Sequence, residues 1–176
     1  FRRADGEIAL FRPRDNFERF NLSARRMCMP ELDVDLCLKA LRELLTLEQK
    51  WVPKTEGTSL YIRPTMIATE PVLGVKPADE YLFYIILSPV AAYYKGGLKP
   101  VKIWVSDEYV RVPNGGTGEA KTGGNYASSL YASALAAEKG YDQVLWLDSV
   151  QRKYVEEVGS MNICFLYDGK IVTSPL

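Results

Sequence analysis

Apolar residues recur at helical spacing in two stretches near the start of the chain. Phe17, Phe20, Ala24 and Met27 lie three or four positions apart, with Arg19, Arg25 and Arg26 on the remaining surface. They predict a helix running from Asp15 or Asn16, either a good cap, to about Met27. A second stretch, about Val34 to Lys50, sets Val34, Cys37, Leu38, Leu41, Leu44 and Leu45 on one face at close to the 3.6-residue period. Ahead of both, Glu7 to Phe11 reads as a short strand stopped by Pro13. Strands are predicted at Ser59 to Ile67 and at Tyr81 to Ser88, the latter followed by Pro89. Gly96-Gly97-Leu98-Lys99-Pro100 has the composition of a linker.

Beyond that linker the pattern changes. A strand is expected at Val101 to Val105, then a loop in which Gly115, Gly116, Gly118, Gly123 and Gly124 crowd together. An alanine-rich helix should run from about Asn125 to Lys139 and end at Gly140, a suitable C′ residue. Val144 to Leu147 is a buried-strand candidate. Asn162 to Thr173 reads as a hairpin, because Asp168-Gly169 is a dipeptide that type I′ turns favour. The whole predicts an α+β chain in two pieces with a seam near residues 93–99.

Composition narrows the chemistry. With 22 Lys plus Arg against 22 Asp plus Glu, the net charge is zero, which argues against general binding to nucleic acid or to an acidic membrane. No apolar run approaches the roughly 20 residues of a membrane span, and no segment reads as a signal peptide. Histidine is absent from the 176 residues, so no triad, zinc site or general base can use one. Proton transfer falls to Lys, Tyr, Glu, Asp or Cys. Cys28, Cys37 and Cys164 are odd in number and show no C-x-x-C spacing, which favours a reduced, cytoplasmic setting and no metal. The ends, Phe1 and Thr173-Ser174-Pro175-Leu176, suggest a piece of something longer.

Two chemistries compete for the glycine loop. Gly115-Gly116-Thr117-Gly118-Glu119-Ala120-Lys121-Thr122 nearly matches a phosphate-binding loop, with Asp148 after Val144–Leu147 as the magnesium carboxylate. Against this, Ala120 stands where the second glycine is needed, and Gly123-Gly124 delays the helix whose N-terminus would face the phosphates. In the other reading Lys121 is a Schiff-base lysine. Glycines on both sides allow a planar cofactor to approach, Tyr126 is near enough to donate to a phenolate oxygen, and Glu157 could hold a protonated pyridine nitrogen. Composition and spacing alone favour the plainer reading, in which Lys121 is a solvated loop lysine and Glu157 a surface charge.

The order of five segments resolves the choice. Leu10-Phe11-Arg12-Pro13, Asn16-Phe17-Glu18-Arg19-Phe20, Leu60-Tyr61-Ile62-Arg63-Pro64, the run from Gly115 through Lys121 to Tyr126, and Glu157-Val158-Gly159-Ser160-Met161-Asn162 follow one another along the chain. In this the sequence resembles the branched-chain amino-acid aminotransferases, class IV aminotransferases with the type IV fold of pyridoxal-phosphate enzymes. The resemblance covers essentially the whole chain. It implies an α+β, two-domain fold: a small N-terminal α/β domain at 1–92, an interdomain loop at 93–99, and the first part of a larger pseudobarrel domain at 100–176. The family's first strands and the rest of its large domain would lie outside this chain, along with part of the phosphate cup and of the substrate pocket.

By the same resemblance, Lys121 carries pyridoxal 5′-phosphate and moves the substrate proton. Tyr126 would bond the cofactor's phenolic oxygen, Glu157 its ring nitrogen and Arg19 its phosphate, where a guanidinium offers bidentate contact. Ser160 stands where relatives often carry threonine. Tyr61, Arg63 and Tyr93 are expected at the substrate, with Tyr94 a lesser alternative to Tyr93 and Arg111 a weaker candidate that reads more readily as structural. Cys164 departs from the family signature, which places an aromatic residue there; Phe165 follows it. The implied reaction passes an amino group from L-leucine, L-isoleucine or L-valine to 2-oxoglutarate by a ping-pong cycle, in a cytoplasmic homodimer. The rivals are a D-amino-acid aminotransferase or aminodeoxychorismate lyase of the same class, a phosphate-loop nucleotide binder, and an inactive fragment.

Overall fold

The computed structural model describes residues 1–91 and 99–175. The chain divides into two compact units, Phe1–Leu98 and Lys99–Leu176, with helices and strands in both.

In the first unit, α1 spans Pro13–Arg26 and α2 spans Val34–Leu47. Pro13 does not merely end a strand. It opens α1, where its missing N–H costs nothing and its φ is preset. The cap position falls on Arg12 rather than on Asp15 or Asn16. The Asn16 amide instead reaches back to donate to the Arg12 carbonyl at 2.8 Å. The strand expected at Glu7–Phe11 is reduced to an isolated Arg2–Ile8 bridge. Asp33 caps α2 by accepting from the Asp35 and Leu36 amides at 2.9 and 3.0 Å. That helix stops at Leu47 and passes into a 3₁₀ turn, Gln49–Trp51, short of the Lys50 expected from periodicity.

Strands β1 (Ser59–Ala68) and β2 (Tyr81–Val90) pair antiparallel in unbroken register from Ser59↔Val90 to Ala68↔Tyr81. Pro89 lies inside β2, opposite Leu60. A two-stranded sheet has only edge strands, so a residue without an N–H is tolerated there. Alternation sorts the hairpin into two faces. Leu60, Ile62, Phe83, Ile85 and Leu87 pack with Phe17, Cys37, Leu38, Leu41 and Leu45 into the core of this unit. Tyr61, Arg63 and Ile67 lie on the opposite, exposed face with Leu82 and Ile86.

The second unit is built on a three-stranded sheet. β3 (Ile103–Ser106) runs parallel to β4 (Gln143–Leu147), which pairs antiparallel with β5 (Val155–Val158). Helix α3, Gly123–Glu138, connects β3 to β4, starting two residues before the expected Asn125. Ala132 and Ala136 bring the backbone of α3 close to Val144 and Trp146, and all four are sealed from solvent. Hairpin β6–β7 (Cys164–Tyr167, Lys170–Thr173) turns at Asp168-Gly169, both at positive φ (49° and 75°), as the dipeptide predicted. Cys164 is exposed and Phe165 stacks on Tyr167 with ring centroids 6.0 Å apart.

Candidate functional site

The glycine loop between β3 and α3 is folded on itself. Gly118 passes so close to Val112 that a Cβ there would lie 2.6 Å from Val112 Cγ1, so no larger residue fits. Ala120 is buried, which anchors the loop one residue before Lys121, and Lys121 itself is exposed. Thr122 follows in extended conformation, and the helix begins at Gly123. A lysine held between a buried alanine and a helix start has its backbone fixed while its side chain reaches outward.

That amine lies over the Tyr126 ring, with Nζ 5.3 Å from the centroid. The Arg111 guanidinium lies over the same ring, with Cζ at 6.0 Å. Arg111 in turn forms an ion pair with Glu157, and their side chains are only 13% and 25% exposed. Lys121, Tyr126, Arg111 and Glu157 therefore form one chain of contacts from three separate segments. Burial pushes the Arg111 guanidinium down from its ordinary range, opposed by Tyr126 and Glu156. Its Nε is a buried donor with no hydrogen-bond partner among the described residues. The adjacent Glu156 carboxyl is pushed up by burial first and by the Asp148 charge second, with Arg111 pulling it down.

The strand that carries Glu157 is not evident from periodicity, since Val155-Glu156-Glu157-Val158 shows no alternation. It forms because its neighbours dictate it. The Asp148 carboxylate accepts from the backbone N–H groups of Val150, Gln151, Lys153 and Tyr154, closing the loop between β4 and β5. These bonds hold Asp148 well below the usual carboxylate range. A register shift between Trp146 and Leu147 then places Glu157 opposite Trp146. At the far end Gly159 has φ +61°, and a Cβ there would meet Gln143 Oε1 at 2.2 Å. Its carbonyl accepts from Trp146 Nε1 at 2.8 Å and its N–H donates to Val144 O at 2.7 Å. Ser160, exposed, comes next in the turn toward β6.

The first unit holds the other described candidates. Arg19 is exposed on α1 and donates to Asn16 Oδ1 at 2.8 Å. Arg63 lies over the Tyr61 ring at 5.3 Å, two residues along the exposed face of β1. Tyr93 and Tyr94, with most of the 93–99 loop, lie outside the described residues.

Sequence reasoning placed Lys121, Tyr126 and Glu157 in the same chemistry but underrated Arg111, which links them. It missed Asn125 altogether. An asparagine in the first turn of a helix that follows a glycine loop was the available signal. The phosphate-loop alternative loses its metal ligand, because the Asp148 carboxylate is taken up by its own loop.

The donor set fits pyridoxal phosphate: an amine to carry its carbonyl carbon, a phenol beside that amine, and a carboxylate held by a guanidinium.

A family model described as amino-transferase class IV matches residues 1–176. Branched-chain-amino-acid transaminase 1 of Bacillus subtilis is 60% identical over 177 residues, covering 100% of this chain and 50% of the relative. The probable branched-chain-amino-acid aminotransferase of Streptomyces coelicolor is 57% identical, covering 100% and 49%. Among solved structures, the branched-chain amino acid aminotransferase from Escherichia coli superposes with a TM-score of 0.71 at 28% identity, over 94% of this chain and 51% of that one. The T.th. branched-chain amino acid aminotransferase with pyridoxamine 5′-phosphate gives 0.72 at 27% identity, over 92% and 52%. The chain spans about half the length of the curated relatives it matches.

Proposed function

Because the chain belongs to the amino-transferase class IV family, we propose that it supplies the lysine and ring-binding residues of a pyridoxal-phosphate-dependent branched-chain aminotransferase. The donors would be L-leucine, L-isoleucine and L-valine, the acceptor 2-oxoglutarate, and the cycle ping-pong. One observation carries the reading. Lys121, Tyr126, Arg111 and Glu157 stand in a single chain of contacts although they come from three segments.

Bound pyridoxal phosphate supplies an electrophilic carbon and an electron sink. Lys121 would hold that carbon through its amine, and its Nζ is the group placed to move a proton at the substrate α-carbon. Tyr126, whose ring already lies against that amine, donates its hydroxyl to the cofactor's phenolic oxygen. Glu157 pairs with the ring nitrogen. Arg111, ion-paired with Glu157, would fix the direction of that carboxylate. Ser160, which follows Gly159 in the turn, offers a hydroxyl to the phosphate end.

In the first unit, Arg19 binds the phosphate as a bidentate donor. Tyr61 and Arg63 meet the substrate. The guanidinium over the ring gives that surface both an apolar wall for a branched side chain and a charge for the distal carboxylate of the acceptor. Tyr93 covers the substrate side chain. A buried methylene is worth only about 0.8 kcal/mol, so preference among the three donors is modest. The assembly is a homodimer.

The test is a reductive trap. The chain is incubated with pyridoxal phosphate, reduced with borohydride and mapped by peptide mass spectrometry. One pyridoxyl adduct at Lys121, absent from Lys121→Ala, is the expected result, followed by L-leucine turnover in preference to D-alanine. Scattered labelling, or none, would overturn the assignment.

A further inference from the structure

The side chain of Asn125 is 7% exposed and every one of its polar atoms is committed. Its Nδ2 donates to the Thr117 carbonyl at 2.8 Å and to the Ala120 carbonyl at 2.7 Å, while its Oδ1 accepts from Thr117 Oγ1 at 2.8 Å. An amide offers two donors and an acceptor, and here all are used inside one loop. The same two carbonyls also receive backbone bonds, Ala120 N to Thr117 O at 2.9 Å and Thr122 N to Ala120 O at 3.0 Å. Asn125 thus ties together the turn 117–122 that carries Lys121.

Asn125 is the third residue of α3, a position from which side chains commonly reach back across a helix start. The usual cap is missing here, since Thr122 makes no side-chain bond to the helix. One turn on, Ser128 Oγ lies 2.8 Å from the Arg111 carbonyl and 2.9 Å from the Asn125 carbonyl, able to donate to either. The start of α3 therefore grips both the lysine loop and the backbone of Arg111.

We propose that Asn125 is a positioning residue for Lys121: by gathering the Thr117 and Ala120 carbonyls it fixes the backbone from which the amine reaches over Tyr126. This rests on the reading of Lys121 as the cofactor lysine. Without the amide the two carbonyls would turn toward water and the loop would sample other directions. Lys121 would still be present, but its amine would no longer be held beside the ring.

Asn125→Asp tests this closely, because it keeps the shape and the acceptor and removes both donors. Hydrogen exchange is followed in the chain as it stands. The expected result is at least about tenfold faster exchange of the Ala120 and Thr122 amides, with β3, β4 and β5 unchanged. After incubation with pyridoxal phosphate, visible circular dichroism per bound chromophore should fall severalfold, since a loosened lysine no longer holds the ring in one orientation. The borohydride-trapped share at Lys121 should fall relative to other lysines. Unchanged exchange at the two amides would overturn the proposal. So would a loosened loop with wild-type dichroism and wild-type labelling of Lys121, which would make Asn125 merely structural. If Asn125→Asp fails to fold, Thr117→Val removes a single bond to the amide and should move all three readouts in the same direction by less; no movement overturns the proposal. A wild-type chain that forms no adduct at Lys121 defeats the cofactor reading, whereas wild-type adduct retained in full by Asn125→Asp defeats only the positioning role.

Discussion

The two units are stabilised in different ways, and their candidate residues differ accordingly. The first has a core of leucines from α2 and Phe17 from α1 packed under one face of a long hairpin. Its candidates, Arg19, Tyr61 and Arg63, stand on exposed surfaces that secondary structure alone provides. The second has a core of two alanines, a valine and a tryptophan, and its strands are only four or five residues long. There, single polar side chains shape the loops: Asn125 the lysine loop, Asp148 the approach to β5. Regular elements can present a residue cheaply wherever a strand face or helix turn suffices. Holding an amine, a phenol, a guanidinium and a carboxylate from three segments together requires irregular backbone, and irregular backbone needs side chains to satisfy its N–H and C=O groups.

This contrast can be broken most severely at the cores. Trp146→Ala should cost the second unit about 3–5 kcal/mol, since the indole is fully buried and its N–H ties Gly159. Leu41→Ala should cost the first unit about 2–5 kcal/mol. Peptide-resolved hydrogen exchange in denaturant would show each loss in its own unit. A Trp146 variant that left the β4–β5 peptides as protected as before would refute the small-core description.

Asp148→Asn should have a smaller effect, with a pH signature. The folded carboxyl titrates well below the ordinary value near 4. Its contribution is therefore present in full above that ordinary value and is lost as the pH falls through the folded one. Wild type should exceed the variant at neutral pH, and the gap should close in acid. A gap independent of pH would mean that the loop is not held by the charged form. The smallest effect is expected at Asp33→Ala, about 1 kcal/mol from loss of the α2 cap. It should be seen in thermal unfolding and confined to the first unit.

Legibility followed the same division. Helix α2 was readable because six apolar residues share one face, and hairpin β6–β7 because Asp168-Gly169 favours a turn of one hand. The strand expected at Glu7–Phe11 failed because Pro13 was committed to starting a helix, leaving only a bridge behind it. Strand β5 was invisible because its two glutamates break the alternation, and the register shift against β4 decides where they lie. Arg111 was read as structural because its partner is 46 residues away in the sequence, and charge pairing at that distance leaves no local pattern.

The amino-acid sequence by itself determined the elements whose period or turn chemistry is local, the exclusion of histidine chemistry, and, through its ordered motifs, the family. Tertiary structure alone decided which charges meet and which side chains are buried. It brought Arg111 to Glu157, spent Asp148 on its own loop, and buried Asn125 behind Lys121. The reason is physical: propensity acts within a turn or a strand, whereas burial and ion pairing depend on segments that come together only when the chain has folded.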